Sequence, residues 1–283
     1  MFLINHLHTL FRLHTPLLRG WSIPAPDDTF KSMLNILHHG TPTDQPKLLI
    51  VHGLYGSARN WGVIAKRLSD TREVIAVDQR NHGNSDWKQT HSYADMANDL
   101  AEVIAEYGPM DVLGHSMGGK AAMVLALTQP ALVNRLIVAD IAPVAYAHSQ
   151  MSYLAAMKSV DLSRVEKRSD AEAMLMQTID DPSLASFFTQ SLDIKEKRWR
   201  LNLDVLEKDM DGITGFPDVS GAYNGPTLFL SGANSDYVKR EDRPLIKSHF
   251  PTAQFAKIPG AGHWLHAEKP REFEAAVRTW LDA

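Results

Sequence analysis

The 283-residue sequence contains no cysteine. Disulfides, thiolate metal sites and a cysteine nucleophile are therefore excluded, and any covalent chemistry must use another side chain. The chain also lacks the run of about 20 nearly uninterrupted apolar residues that a transmembrane helix needs, so no stable membrane span is expected. No basic run is dense enough to follow a phosphate backbone, and the formal charge is −4, so a nucleic-acid partner is not expected. The 13 histidines are scattered, and neither His263 nor His266 pairs with a carboxylate at a spacing that suggests zinc. No acidic residue precedes Asp27, and the apolar run from Met1 to Gly20 is broken repeatedly by His. Broken in this way it is not expected to form a secretory core. Its Arg-rich, acid-poor composition fits a transit-like amphipathic helix, yet the simpler expectation is that residues 1–32 are an extension outside the core of a cytoplasmic protein.

What is present is an ordinary globular composition, 44% hydrophobic, enough for a well-buried core. Short apolar runs ending in Gly, Asp or His recur at Leu48–Val51, Val74–Val77, Val112–Leu113 and Leu136–Ala139. Met33 opens an earlier strand-like run that ends near His38-His39, and Thr41 to Pro46 reads as a turn. Helical patterns lie between the strands at Trp61–Leu68, Tyr93–Tyr107 and Lys120–Thr128. In Tyr93–Tyr107 the apolar Met96, Leu100, Val103 and Ile104 fall on one face. Strand and helix in alternation predict an α/β fold with a mostly parallel sheet and helices on both faces. From about Val144 only helical patterns appear until strands resume at Thr227–Leu230 and Gln254–Ile258. The expected organisation is a core of residues 33–143 and 224–283 with an inserted helical cap, 144–223. Within the insert, Ser169-Asp170-Ala171-Glu172 has capping-box spacing, and Asp181-Pro182 reads as an N-cap followed by Pro at the first helical position. Met151, Met157, Met174, Met176, Phe187 and Phe188 either line a pocket or pack the small helices together.

The chemistry is carried by three segments. Gly114-His115-Ser116-Met117-Gly118 fits the pattern G-x-S-x-G, follows a strand directly and opens a helix. Glycines at its flanks let a strained turn present the Ser116 oxygen at a helix N-terminus, where backbone N–H groups favour a developing anion. His52-Gly53-Leu54 follows the first parallel strand, so the Leu54 N–H can join the Met117 N–H in an oxyanion hole. His52 is expected to brace that loop. Gly260-Ala261-Gly262-His263 follows the last strand and precedes a helix over Pro270–Leu281. Neutral imidazole at His263 suits a base that takes the serine proton and returns it to a leaving group. His266, three residues on and past the glycine turn, is the weaker candidate. Two carboxylates compete to orient the imidazole: Asp140, at the end of the strand after the nucleophile's own, and Asp236 in Gly232-Ala233-Asn234-Ser235-Asp236-Tyr237-Val238.

These motifs, with Asp78-Gln79-Arg80-Asn81-His82-Gly83-Asn84-Ser85, resemble the α/β-hydrolase superfamily over about residues 33–283. Asn81-His82-Gly83, Lys120 and Asp140-Ile141-Ala142-Pro143-Val144 are similar to the bacterial YbfF-type esterases and the ABHD11-type hydrolases. The resemblance implies an α/β-hydrolase fold with a helical cap, activity on small acyl esters or thioesters, and no cofactor. It also implies that Asp140 supplies the carboxylate. Ser235 stands where most of the superfamily has its acid and is expected to hydrogen-bond nearby as a fourth member, while Asp78 and Arg80 are expected to brace a loop. An aspartate-nucleophile reaction is excluded by Ser116. Perhydrolysis or C–C hydrolysis on the same residues, and a non-catalytic sensor that kept the fold, are the alternatives.

Overall fold

The computed structural model describes residues 34–147 and 150–283; the expected extension 1–32, and Met33, lie outside them. Strand β1 (Ile36–His39) is followed by β2 (Leu48–Val51), α1 (Gly62–Leu68), β3 (Val74–Val77), α2 (Tyr93–Tyr107), β4 (Met110–His115), α3 (Met117–Thr128) and β5 (Val133–Ala139). Next come α4 (Met151–Ser159), α5 (Arg168–Leu175), α6 (Pro182–Thr189), the short strands β6 (Leu192–Asp193) and β7 (Arg198–Trp199), α7 (Leu203–Lys208) and α8 (Met210–Thr214). The chain then returns through β8 (Thr227–Gly232), α9 (Arg243–His249), β9 (Gln254–Ile258), α10 (Leu265–Glu268) and α11 (Pro270–Leu281).

Seven strands form one sheet in the order β1-β3-β2-β4-β5-β8-β9, antiparallel only at β1. The apolar runs exist because the sheet is covered on both faces. Leu49 and Val51 of β2 enter one hydrophobic cluster with α2 and α3, while Leu48 and Ile50 enter the other with α1 and α11. Helix α2 is held by an N-cap at Ser92, whose hydroxyl accepts the Asp95 N–H at 3.2 Å, and ends at Gly108 with φ 83°. Helix α3 is buried around almost its whole circumference, which is why its sequence shows no polar face.

Strands β2 and β4 are neighbours, but the chain after β2 runs to β3 on one side and the chain after β4 runs to β5 on the other. Such a reversal opens a crevice beyond the carboxyl ends of the strands. The loop after β2 and the turn after β4 both end there.

The chain between β5 and β8 departs from the purely helical expectation. Besides α4 to α8 it holds the β6–β7 pair, joined through Leu192↔Trp199 and Asp193↔Arg198. Strands of two residues are too short to show alternation, so the sequence pattern missed them. The capping-box reading is also displaced: α5 starts at Arg168 with Lys167 as N-cap, and the Asp170 carboxylate accepts the Glu166 and Lys167 N–H groups at 3.0 Å each. Asp181 caps α6 as expected, accepting from Ser183 N–H at 2.8 Å, with Pro182 at the first helical position.

Candidate active site

The turn between β4 and α3 puts Ser116 at φ 53°, ψ −121°, a left-handed conformation few side chains adopt. The residues two before and two after it must be glycine. A Cβ on Gly114 would lie 2.3 Å from the Gly118 carbonyl oxygen, and one on Gly118 would lie 2.3 Å from the Val51 carbonyl oxygen. Helix, turn and the end of β2 are packed too closely for any side chain, and that contact fixes where the Ser116 oxygen points.

Ser116, His263, Asp140 and Ser235 form one hydrogen-bonded chain. The Ser116 Oγ is 3.1 Å from His263 Nε2, and His263 Nδ1 is 2.7 Å from Asp140 Oδ2. Asp140 is fully buried where the chain leaves β5, at φ 51°. Its other oxygen accepts the Gly232 N–H at 3.1 Å, and the Ser235 hydroxyl donates to Oδ2 at 2.5 Å. A carboxylate held on three sides keeps the proton on His263 Nδ1 and leaves the Nε2 lone pair facing Ser116. Asp236 is exposed, and among the described residues no hydrogen bond joins it to His263. His266 is buried, stacked on Trp61 at 4.0 Å between ring centroids, and does not reach Ser116.

The Met117 N–H opens α3, and the Leu54 N–H lies in the loop after β2. Among the described residues neither donates a hydrogen bond within the protein, so both are free to meet an oxyanion. The Leu54 loop is held from beneath. His52 donates from Nδ1 to the Gly53 carbonyl at 2.8 Å and accepts the Gln79 N–H on Nε2 at 2.9 Å. Asp78 accepts from the Ala58 and Asn84 N–H groups at 2.7 and 2.9 Å, and Arg80 grips Asp99 through two contacts of 2.6 Å. The bracing expected of His52, Asp78 and Arg80 is therefore their observed geometry.

Sequence reasoning missed three supports. His115, the residue before Ser116, donates from Nε2 to the His263 carbonyl at 2.9 Å. Tyr237 stacks on the His263 ring at 3.9 Å. His91 donates to the Met117 sulfur at 3.3 Å. A lone His or Tyr has no spacing that signals such contacts; only the position of His115 inside the elbow carries a hint.

Burial pulls the pKa of His52, His82, His91, His115 and His266 below the ordinary imidazole value, to about 3 for His91 and His266. Below pH 6.5 the unfolded chain takes up protons at these rings that the folded chain refuses, so stability falls as pH falls towards 3. From pH 6 to 5, His91 and His266 alone are expected to remove about 2 kcal/mol, with the other three adding in the same direction. Urea midpoints measured at pH 7, 6 and 5 check this; a midpoint unchanged between pH 6 and 5 contradicts it.

A cavity of about 270 Å³ opens over Ser116. It is lined by Leu54, Met117, Tyr237 and Trp264, and by Tyr153, Leu184, Phe187 and Phe188 from the segment between β5 and β8. Of the apolar residues in that segment, Phe187 and Phe188 line the cavity, Met157 is buried in packing, and Met151 and Met176 are over a third exposed. Among the described residues no cluster of His, Asp or Glu could hold a metal ion, and no helix is long and apolar enough to cross a membrane.

Residues 46–270 match the family profile described as alpha/beta hydrolase fold. The chain is 39% identical over 250 residues to the sn-1-specific diacylglycerol lipase ABHD11 of Danio rerio, covering 84% of this chain and 79% of that one. It is 35% identical over 250 residues to esterase YbfF of Escherichia coli strain K12, covering 87% and 94%. Among solved structures it is similar to a marine microorganism esterase, with 40% identity and a TM-score of 0.82 over 87% of this chain and 98% of that one.

Proposed function

The chain belongs to the α/β-hydrolase fold family, among relatives that are esterases and lipases, and from that premise we propose that it hydrolyses small carboxylic esters or acyl thioesters through an acyl-enzyme on Ser116. The observation that carries this reading is the 3.1 and 2.7 Å chain from Ser116 through His263 to Asp140.

Ser116 Oγ attacks the acyl carbon as its proton passes to His263 Nε2. The carbonyl electrons move onto oxygen, where the Leu54 and Met117 N–H groups hold the charge. Collapse breaks the bond to the alcohol or thiol, which takes the proton from Nε2 as it leaves and so returns His263 to the neutral form. Water then gives a proton to His263 and attacks the acyl-serine; a second collapse releases the carboxylic acid and returns the proton to Ser116. Asp140 stabilises the imidazolium in both halves, and Ser235 with the Gly232 N–H keeps the carboxylate in place. Residues 144–223 act as a cap that supplies the apolar wall. At about 270 Å³ the cavity is at the small end for ligand pockets, which favours short acyl chains.

Steady release of p-nitrophenol over many turnovers is expected from p-nitrophenyl acetate and butyrate, falling off at decanoate. A single burst of one equivalent with no further turnover would instead indicate a sensor that traps acyl groups.

A further inference from the structure

Lys120 is a buried titratable group that the reaction above does not use. It lies one helical turn beyond Ser116 on α3, with its own N–H donating to the Ser116 carbonyl at 3.0 Å, and it is 1% exposed. Its ammonium donates to three carbonyls: Val144 at 2.9 Å, Thr214 at 2.9 Å and Gly215 at 2.5 Å. Val144 belongs to the chain that leaves β5 for the cap, Thr214 is the last residue of α8, and Gly215 begins the chain that returns from it. Among the described residues no carboxylate pairs with it. The faces of Tyr146 and Tyr93 lie 4.7 and 5.8 Å from the nitrogen.

This arrangement is costly. Burial pulls the lysine pKa down to about 7, while three carbonyl dipoles and two ring faces hold the proton on. An apolar side chain of the same length would fill the space without removing a charge from water. What an apolar residue cannot do is tie two separate strands of chain to a third element. An ammonium has three N–H groups and all three are spent on these carbonyls, so none is left for an oxyanion or a substrate carboxylate.

The tie continues to the base. The Tyr146 N–H donates to the same Thr214 carbonyl at 3.0 Å, its hydroxyl donates to the Tyr237 carbonyl at 2.7 Å, and the Tyr237 ring stacks on His263. Both roots of the cap thus meet at one buried cation, and Tyr146 links that point to the neighbour of His263.

We propose that Lys120 is a positioning residue that pins both roots of the cap to the helix carrying Ser116, and so fixes the distance of the wall formed by Tyr153, Phe187 and Phe188 from the nucleophile. The pin thereby sets acyl affinity and chain-length selectivity without touching the reacting atoms. The kinetic part of this inference rests on the esterase reading above; the pinning itself does not.

Lys120→Met keeps the length and removes the donors. KM for p-nitrophenyl butyrate is expected to rise about tenfold with kcat within about threefold, and the preference for butyrate over decanoate to narrow, because affinity for the acyl group depends on a wall that is no longer held. Amide hydrogen exchange should rise in residues 141–147 and 213–218 while β4 and β5 stay protected. Lys120→Gln, which retains two N–H donors, should fall between wild type and Lys120→Met on each readout, and it decides the matter if Lys120→Met does not fold. Unchanged KM and selectivity, or a loss confined to kcat, overturns the kinetic role; unchanged exchange at both roots overturns the pin. Exchange needs no substrate, so an enzyme that turns over no ester would sink the esterase reading and still leave the pin tested.

Discussion

Replacing Ser116 with alanine is expected to lower kcat for p-nitrophenyl butyrate by about 10⁴ or more, with the urea midpoint close to that of the wild type. The chemical loss is complete because no other hydroxyl sits 3.1 Å from His263 Nε2 in this hydrogen-bonded chain. The stability change is small because the turn is held by Gly114 and Gly118 against the backbone, and alanine meets the same positive φ that serine already tolerates. His263→Ala should be nearly as damaging, and the double variant little worse than either single one, since the two act as a unit. A Ser116→Ala protein that keeps its activity, or loses it only by unfolding, removes the serine from the mechanism.

The second large effect separates the two carboxylates. Asp140→Asn preserves shape at a fully buried site, but an amide that donates towards His263 Nδ1 moves the imidazole proton to Nε2, where it can no longer accept from Ser116. A fall in kcat of about 10⁴ is expected at an unchanged far-ultraviolet circular dichroism spectrum. Asp236→Asn is expected to stay within about threefold of wild type, because that side chain is exposed and makes no hydrogen bond to the imidazole among the described residues. Steady-state kinetics of the pair decides the ranking. The reverse order would make Asp236 the acid after a loop rearrangement and leave Asp140 a structural residue.

The inner strands β2, β3, β4 and β8 were legible because they are buried on both faces, which forces continuous apolar runs such as Leu48–Val51 and Val74–Val77. The turn at Ser116 was legible because its flanking glycines answer to a steric limit that no other residue meets. The choice between Asp140 and Asp236 was not set by spacing. Reach across the sheet from β5 to the loop after β9 depends on strand order; resemblance, with the place of Asp140 at the end of its strand and of Asp236 one residue late in its turn, favoured the residue that the structure brings to His263. Contacts made through the backbone left no trace at all. The three carbonyls on Lys120 and the His263 carbonyl on His115 belong to residues whose side chains are irrelevant to the bond. The β6–β7 pair escaped for the simpler reason that two residues cannot display a period.

The central claim is that the acyl group passes through Ser116, and covalent trapping reads it directly. Wild-type protein treated with a p-nitrophenyl alkylphosphonate, which offers the serine a tetrahedral phosphorus that water cannot readily displace, is digested and weighed by mass spectrometry. One phosphonyl group on the peptide containing Ser116, appearing in step with loss of esterase activity and absent from the Ser116→Ala protein, is the predicted result. Complete inactivation with Ser116 unmodified, or full modification of Ser116 with activity retained, contradicts it.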